Sequence, residues 1–316
     1  MKIDKRIISL FFIVMIFVLS GCNGGGDSQP VKQGSGSRDN TPIVLEPKAS
    51  GENIIGNEKI IFDISNTDDG YIMAKYEGDN AKVKVRIQNP GQNEPYTYDV
   101  AEGYNVFPLT GGDGQYTVSA YENISDNKYS QLYTKTIQVN IDDELSPYLY
   151  PNQFVNFDSS TKAIDKGSEI VKNADNDLDA VKYVYDYVIN NISYDDDKAD
   201  LIKKGKLSGY LPKVDETLEE KKGICFDYSA VMATMLRTQN IPTRMMIGYV
   251  SLPSGSLYHA WISVYIEDIG WVDDLIEFDG KNWSMMDPTL ISDGKNSSEI
   301  RDFTSNKDNY LIKYLY

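Results

Sequence analysis

The spacing of apolar positions changes along the chain and divides it. From about Asn53 to Asp142, β-branched and aromatic residues alternate with polar ones in short runs: Ile60–Ile64, Tyr71–Tyr76, Lys82–Ile87, Tyr96–Val100, Tyr116–Tyr121 and Thr134–Ile141. A period of two puts successive side chains on opposite faces of a strand, so each run predicts a half-buried strand. Turn-forming clusters, Asn89-Pro90-Gly91 and Gly111-Gly112-Asp113-Gly114, separate them. About six or seven strands at this spacing predict a β-sandwich over 53–145.

Two prolines in Ser146–Pro151 disfavour regular structure and mark a boundary. Beyond it the period lengthens. Ser160–Ala174 and Leu178–Asn190 predict helices, the second with Leu178, Val181, Val184, Tyr185 and Val188 at three-to-four spacing. Ile192–Asp195 reads as a short extended segment, and Ala199–Gly209 as a short helix and loop. Asp195-Asp196-Asp197 lacks the glycine and terminal glutamate of a calcium loop and reads as solvated acidic loop. Cys225–Gln239 is again helical, with Tyr228, Val231, Met232, Met235 and Leu236 on one face and Asn240 and Pro242 stopping it. Thr243–Val250, His259–Glu267, Trp271–Leu275 and a last segment carrying Asp287 read as strands. Helices followed by antiparallel strands make 146–316 an α+β domain.

The N-terminal end reads as an export signal. Lys2, Lys5 and Arg6 precede the apolar run Ile7–Leu19, shorter than the ~20 residues of a spanning helix. Leu19-Ser20-Gly21-Cys22 is similar to a bacterial lipobox, which implies a signal peptide over 1–21, lipidation of Cys22 and an extracytoplasmic protein held at the membrane by lipid. Asn23–Pro42, rich in Gly, Ser, Asn and Gln, reads as flexible, so 22–52 is expected to be a lipidated tether. The net charge of -16 leaves no basic footprint for nucleic acid. The cysteine count then gains meaning: of 2 cysteines, a lipidated Cys22 leaves Cys225 without a partner in an oxidising compartment. Such a thiol is either reactive or a buried apolar filler.

Cys225 lies in Gly223–Tyr249, at a predicted helix start, where unpaired N–H groups and the helix dipole favour a thiolate over the thiol. The chain has 1 histidine, His259, the sole candidate of its kind to take the thiol proton. Asp287 is the candidate to orient the imidazole through its other nitrogen. Each residue also has a plain structural reading, as core thiol, packed imidazole or turn former.

Taken together these blocks resemble the transglutaminase-like superfamily, with its papain-like fold. The residues that carry the resemblance are Gly223-Ile224-Cys225-Phe226-Asp227-Tyr228-Ser229, Leu236-Arg237, Ile241-Pro242-Thr243-Arg244, Gly248-Tyr249, His259-Ala260-Trp261, Gly270-Trp271 and Asp287-Pro288-Thr289. It spans roughly Leu178–Leu290 and implies Cys225 as nucleophile, His259 as general base and Asp287 as orienter. It also implies an oxyanion donor in the Cys225 backbone N–H. The upstream indole of the animal enzymes has no counterpart, since Trp261, Trp271 and Trp283 all follow the cysteine; Tyr194 is the candidate hydroxyl in its place. Separately, Gly114–Val118 resembles the strand after a Gly-rich turn in immunoglobulin-like modules. The expected architecture is thus an all-β immunoglobulin-like sandwich followed by a transglutaminase-like α+β domain.

What this implies is a surface thiol acyl-transferase acting on a protein or peptide carboxamide, with no cofactor or metal. A cysteine peptidase or amidase on surface or cell-wall peptides would use the same residues. A non-catalytic binding module would retain them as architecture. The residues do not choose between an amine and water as the group that resolves a thioester, nor do they fix an oligomeric state.

Overall fold

The computed structural model describes residues 34–92, 94–252, 255–272, 276–278, 283–285 and 309–316. The alternating runs form antiparallel sheets. One contains β1 (Ile54–Gly56), β2 (Ile60–Asp63), β3 (Tyr71–Tyr76) and β6 (Tyr104–Pro108) in the order β1-β2-β3-β6. The other contains β4 (Val83–Gln88), β5 (Tyr96–Asp99), β7 (Gly114–Ser125) and β8 (Lys128–Val139) in the order β5-β4-β7-β8. In β4 the buried positions are Val83, Val85 and Ile87, with Lys84, Arg86 and Gln88 between them. Each fully buried aliphatic or aromatic residue contributes about 2 kcal/mol through its removal from water, so this alternation fixes which face turns inward. The two faces meet: the Tyr98 and Phe107 rings lie 5.0 Å apart, and Phe62 and Tyr133 6.0 Å. The Tyr116 hydroxyl accepts from the Gly111 N–H at 2.9 Å and donates to the Gly112 carbonyl at 2.8 Å, pinning the turn into β7.

The second half opens with a 3-10 turn at Ser146–Tyr148, then α1 (Lys162–Val171) and α2 (Asp177–Asn191). The Asn176 side chain caps α2 by accepting from the Asp179 N–H, and Asp177 and Asp179 suit the positive end of its dipole. Next come β9 (Ser193–Tyr194), α3 (Asp196–Lys203), α4 (Val214–Glu220), β10 (Lys222–Gly223) and α5 (Cys225–Arg237). The strands β11 (Thr243–Leu252), β12 (Gly255–Ile266) and β13 (Gly270–Val272) follow. The hairpin of β14 (Ile276–Phe278) and β15 (Trp283–Met285) and the strand β16 (Tyr310–Leu315) complete the elements described. The main sheet of this half has the order β13-β12-β11-β16.

Helix α5 is the centre. Every residue of it except Phe226 is buried, with α1, α2 and α4 and the strands β11 and β12 packed against it. Its last residue, Arg237, is 1% exposed and ties separate segments together. Nε and Nη2 donate to the Thr243 carbonyl at 3.0 and 2.8 Å, Nη1 to that of Tyr150 at 2.5 Å, and Nη2 also to that of Tyr316 at 2.7 Å. Burial pulls this guanidinium down to about 9, which leaves it charged at neutral pH.

The two halves share a continuous apolar core, and Gly34–Tyr316 form one compact unit. A seam of tyrosines joins them: Tyr96 lies 5.1 Å from Tyr314 and 5.3 Å from Tyr316, ring to ring, and its hydroxyl accepts from the Leu315 N–H at 3.0 Å. The Ser146–Pro151 segment is clasped rather than loose, since Tyr148 stacks edge-on to Trp271 at 5.0 Å and Tyr150 lies 4.7 Å from Tyr71.

Residues 34–43, within the expected tether, are bonded to helix ends. The Asp175 carboxylate accepts from the backbone N–H and hydroxyl of both Ser35 and Ser37 at 2.8–3.0 Å. Arg38 pairs with Asp177 at 2.6 Å, and its Nη2 donates to the Gln239 carbonyl. The Ile43 N–H takes the Thr238 carbonyl at 2.8 Å. A polar composition gives no apolar signal, yet helix ends offer unpaired groups that such a segment can satisfy. The acidic run also departs from expectation: Asp195 is buried, caps α3 by accepting from the Lys198 N–H at 3.0 Å, and pairs with Lys222 at 3.0 Å.

Replacing Arg237 with Met removes the donors from three internal carbonyls. At about 1–3 kcal/mol per unsatisfied group, the loss is expected to reach about 3 kcal/mol or more, read as a lower urea midpoint at unchanged m-value. The hydrogen bonds from Ser37 and Ser35 hold Asp175 well below the usual carboxylate range. A depressed folded value means stability that is present above the ordinary value of ~3.9 and lost as pH falls below it. Hydrogen exchange at the Ser35 and Ser37 amides should therefore stay protected above about pH 4 and accelerate, relative to intrinsic rates, under stronger acid.

Candidate active site

The thiol is placed by a strand-to-helix junction. Gly223 of β10 pairs in parallel with Tyr194 of β9, and the Asp195 N–H donates to the Gly223 carbonyl at 2.9 Å. Ile224 is extended, with φ -102° and ψ 179°, and its carbonyl opens α5 by accepting from the Asp227 and Tyr228 N–H groups at 2.9 and 3.1 Å. Asp227 reaches back, its Oδ2 accepting from the Ile224 N–H at 2.9 Å. This satisfies an otherwise orphaned donor at the helix start. The Tyr228 hydroxyl donates to the Ile192 carbonyl at 2.5 Å, fastening the first turn from behind. Cys225, the first residue of α5, is a free thiol and 6% exposed.

Gly223 is required by space. A Cβ there would lie 2.6 Å from the Asp227 Cβ and 3.2 Å from the Thr217 methyl, where neither atom is the movable tip of a long side chain. The close approach lets β10 run against the helix start.

His259 lies on β12, opposite Gly248 of β11, and is 2% exposed. Gly248 is itself sterically demanded, because a Cβ there would fall 2.0 Å from the Leu311 carbonyl oxygen on β16. The imidazole lies roughly parallel to the Trp261 indole, 6.1 Å between ring centres. Helix α5 packs on β12, and the residues next to the cysteine and the histidine meet: the rings of Phe226 and Tyr258 are 6.1 Å apart. Burial pushes the Tyr258 phenol up to about 12, helped by the neighbouring Tyr314, Tyr249 and Cys225.

The structure thus brings the helix start bearing Cys225 up to the strand bearing His259. It sets Tyr194 beside Gly223, two residues before the thiol, half-buried and engaged in an interaction of its own. Asp287 and Cys22 lie outside the described residues. Among the described residues no group of three or more His, Cys, Asp or Glu is arranged to hold a metal ion, and no helix is long and apolar enough to cross a membrane. Sequence reasoning passed over Lys198 and Tyr210, which both contact the Asp227 carboxylate. Asp227 itself stood in the cysteine block without a role.

Residues 165–273 match the family model of the Transglutaminase-like superfamily, so this stretch, from α1 to the end of β13, is a transglutaminase-like domain. The first half of the chain lies outside that match. UPF0252 protein MJ1282 of Methanocaldococcus jannaschii is 28% identical over 247 residues, 73% of this chain and 68% of that protein. Uncharacterized protein YebA of Bacillus subtilis is 32% identical over 120 residues, 33% of this chain and 16% of that protein. Among solved structures, a candidate cysteine protease from Cytophaga hutchinsonii aligns at 15% identity and a TM-score of 0.38, over 84% of this chain and 73% of that one.

A Gly223→Ala substitution should displace the junction rather than merely strain it. The expected result is a loss of about 2 kcal/mol in urea unfolding, in the range of overpacked cores. Faster alkylation of Cys225, followed by mass spectrometry of its peptide, should accompany it as burial loosens.

Proposed function

We propose that the protein is a cell-surface enzyme that transfers acyl groups through the Cys225 thiol, acting on protein or peptide carboxamides. The observation that carries this reading is the meeting of the α5 start with β12. A thiol at a helix N-terminus lies against the strand that holds the chain's single histidine, inside a transglutaminase-like domain. The Cys225 thiolate attacks the carboxamide carbon, and the negative charge that forms on oxygen is stabilised by the Cys225 backbone N–H and the Tyr194 hydroxyl. His259, having taken the thiol proton, returns it to the departing amine, leaving a thioester. Asp287, from its Asp-Pro-Thr block, orients the imidazole. Attack by a second amine on the thioester yields a crosslink, and attack by water yields a free acid.

Around this chemistry we place the remaining readings. Lys2, Lys5, Arg6, the apolar run and Cys22 support a lipoprotein signal and an extracytoplasmic, membrane-anchored location. The strand orders β1-β2-β3-β6 and β5-β4-β7-β8, with the Tyr116 hydroxyl pinning the turn into β7, support an immunoglobulin-like sandwich over 53–145. The division from 146–316 is then one of topology within a shared core.

The test incubates the purified protein with a glutamine-containing peptide and a labelled primary amine. Amine incorporation with ammonia release is expected, falling at least about 1,000-fold in Cys225→Ala and His259→Ala. Ammonia without incorporation would make the protein an amidase, and peptide cleavage a peptidase. No product from any peptide, with Cys225 alkylating like an ordinary thiol, would leave the site as architecture only.

A further inference from the structure

Asp227 places a carboxylate in the first turn of α5, two residues after the thiol, and is fully buried. A negative charge there opposes formation of a second one on sulfur. The side chains two apart on a helix do not face each other, so the effect acts through the field, which a buried site screens poorly. The carboxylate has a set of partners. Lys198 Nζ lies 3.1 Å from its Oδ2, and the Tyr210 hydroxyl donates to Oδ1 at 2.5 Å while lying 3.1 Å from Lys198 Nζ. The Lys198 ammonium also sits 5.2 Å from the centre of the Tyr210 ring.

Lys198 is fixed where it can do this. It belongs to α3, whose capping Asp195 hangs from the Gly223 carbonyl, so the ammonium and the thiol are referred to the same backbone. The other charged and titratable groups facing this corner are distributed around it. Lys222 on β10 is taken up by Asp195 and Asp197, Asp195 and Glu216 act on Tyr210, and His259 and Tyr258 belong to β12, which packs against α5. Lys198 is the cation in contact with Asp227.

We propose that Lys198, assisted by Tyr210, is a positioning residue that balances the Asp227 charge, so that Asp227 can cap the nucleophile's helix without opposing the Cys225 thiolate. This rests on the reading of Cys225 as a nucleophile. Lys198 touches neither substrate nor sulfur; it acts through Asp227. A lysine on one helix and a carboxylate on another thereby become part of one electrostatic unit with the thiol.

The experiment is the pH profile of Cys225 alkylation by iodoacetamide in the full chain, followed by mass spectrometry of the Cys225 peptide so that Cys22 does not interfere. Lys198→Met should slow the reaction at neutral pH about tenfold and raise its midpoint by about one pH unit. Lys198→Arg should restore the wild-type profile. In Lys198→Met/Asp227→Asn the rate should return to within about twofold of Asp227→Asn alone, because the charge that needed balancing is gone. An unchanged profile in Lys198→Met, or losses that simply add in the double variant, would overturn the proposal. If Lys198→Met does not fold, as judged by circular dichroism, the comparison of Asp227→Asn with the double variant decides: equal rates support charge balance and a further drop refutes it. A wild-type midpoint near that of a free thiol would sink the nucleophile reading, while the difference between wild type and Lys198→Met would still report the coupling.

Discussion

A helix that buries every face has to carry its polar groups inside with their partners already assigned, and α5 shows what that demands. At its C-terminal end Arg237 spends its donors on the carbonyls of Tyr150, Thr243 and Tyr316. At its N-terminal end Asp227 receives an N–H, a phenol and an ammonium. Everything between is packed between helices and sheet. The thiol stands at one end of a rod clamped at both, so its position follows from the burial of α5 together with the tight junction from Gly223 to Asp227.

The first half contributes to the same clamp indirectly. Tyr96 and Tyr98 sit on an interior face of the first half and also lie against Tyr316, the residue whose carbonyl receives Arg237. A contiguous core of this sort removes the freedom of motion that separate domains joined by small polar interfaces retain. The first half is better described as part of the frame of the second than as a passenger.

How much of this was legible in the sequence follows from the kind of signal each part carries. Strands such as β4, where Val83, Val85 and Ile87 alternate with long polar residues, and helices with a broad apolar stripe such as α2, are written in periodicity. Strand β1 has 3 residues, too few to show a period, β6 does not alternate between buried and exposed positions, and β16 pairs with β11 from far along the chain. Helix α4 hid among charges, its Asp215 accepting from the Lys162 and Ala163 N–H groups at the start of α1. Cys225 and His259 stood out because each residue type is scarce here. Lys198 and Tyr210 did not, since one lysine among 31 Lys and Arg and one tyrosine among 23 carry no signal until folding sets them on Asp227. The bonds made by residues 34–43 are illegible for a related reason: their partners are helix-end carbonyls and Asp175, and composition shows none of them.

The parallel pairing of β9 with β10 has one more consequence. Parallel neighbours cannot be joined by a tight turn, so the chain leaves at Tyr194, passes through α3 and α4, and returns at Lys222 with both ends held together. The cost of closing such an excursion grows only with the logarithm of its length. Residues 204–209, between α3 and Tyr210, can therefore lengthen or shorten at little entropic cost, while Tyr210 itself stays held on Asp227. The junction from Gly223 to Asp227 has no such slack, because a single added carbon at Gly223 already meets Asp227. The fold thus sets a loop of low closure cost directly beside a junction with no room for one more carbon.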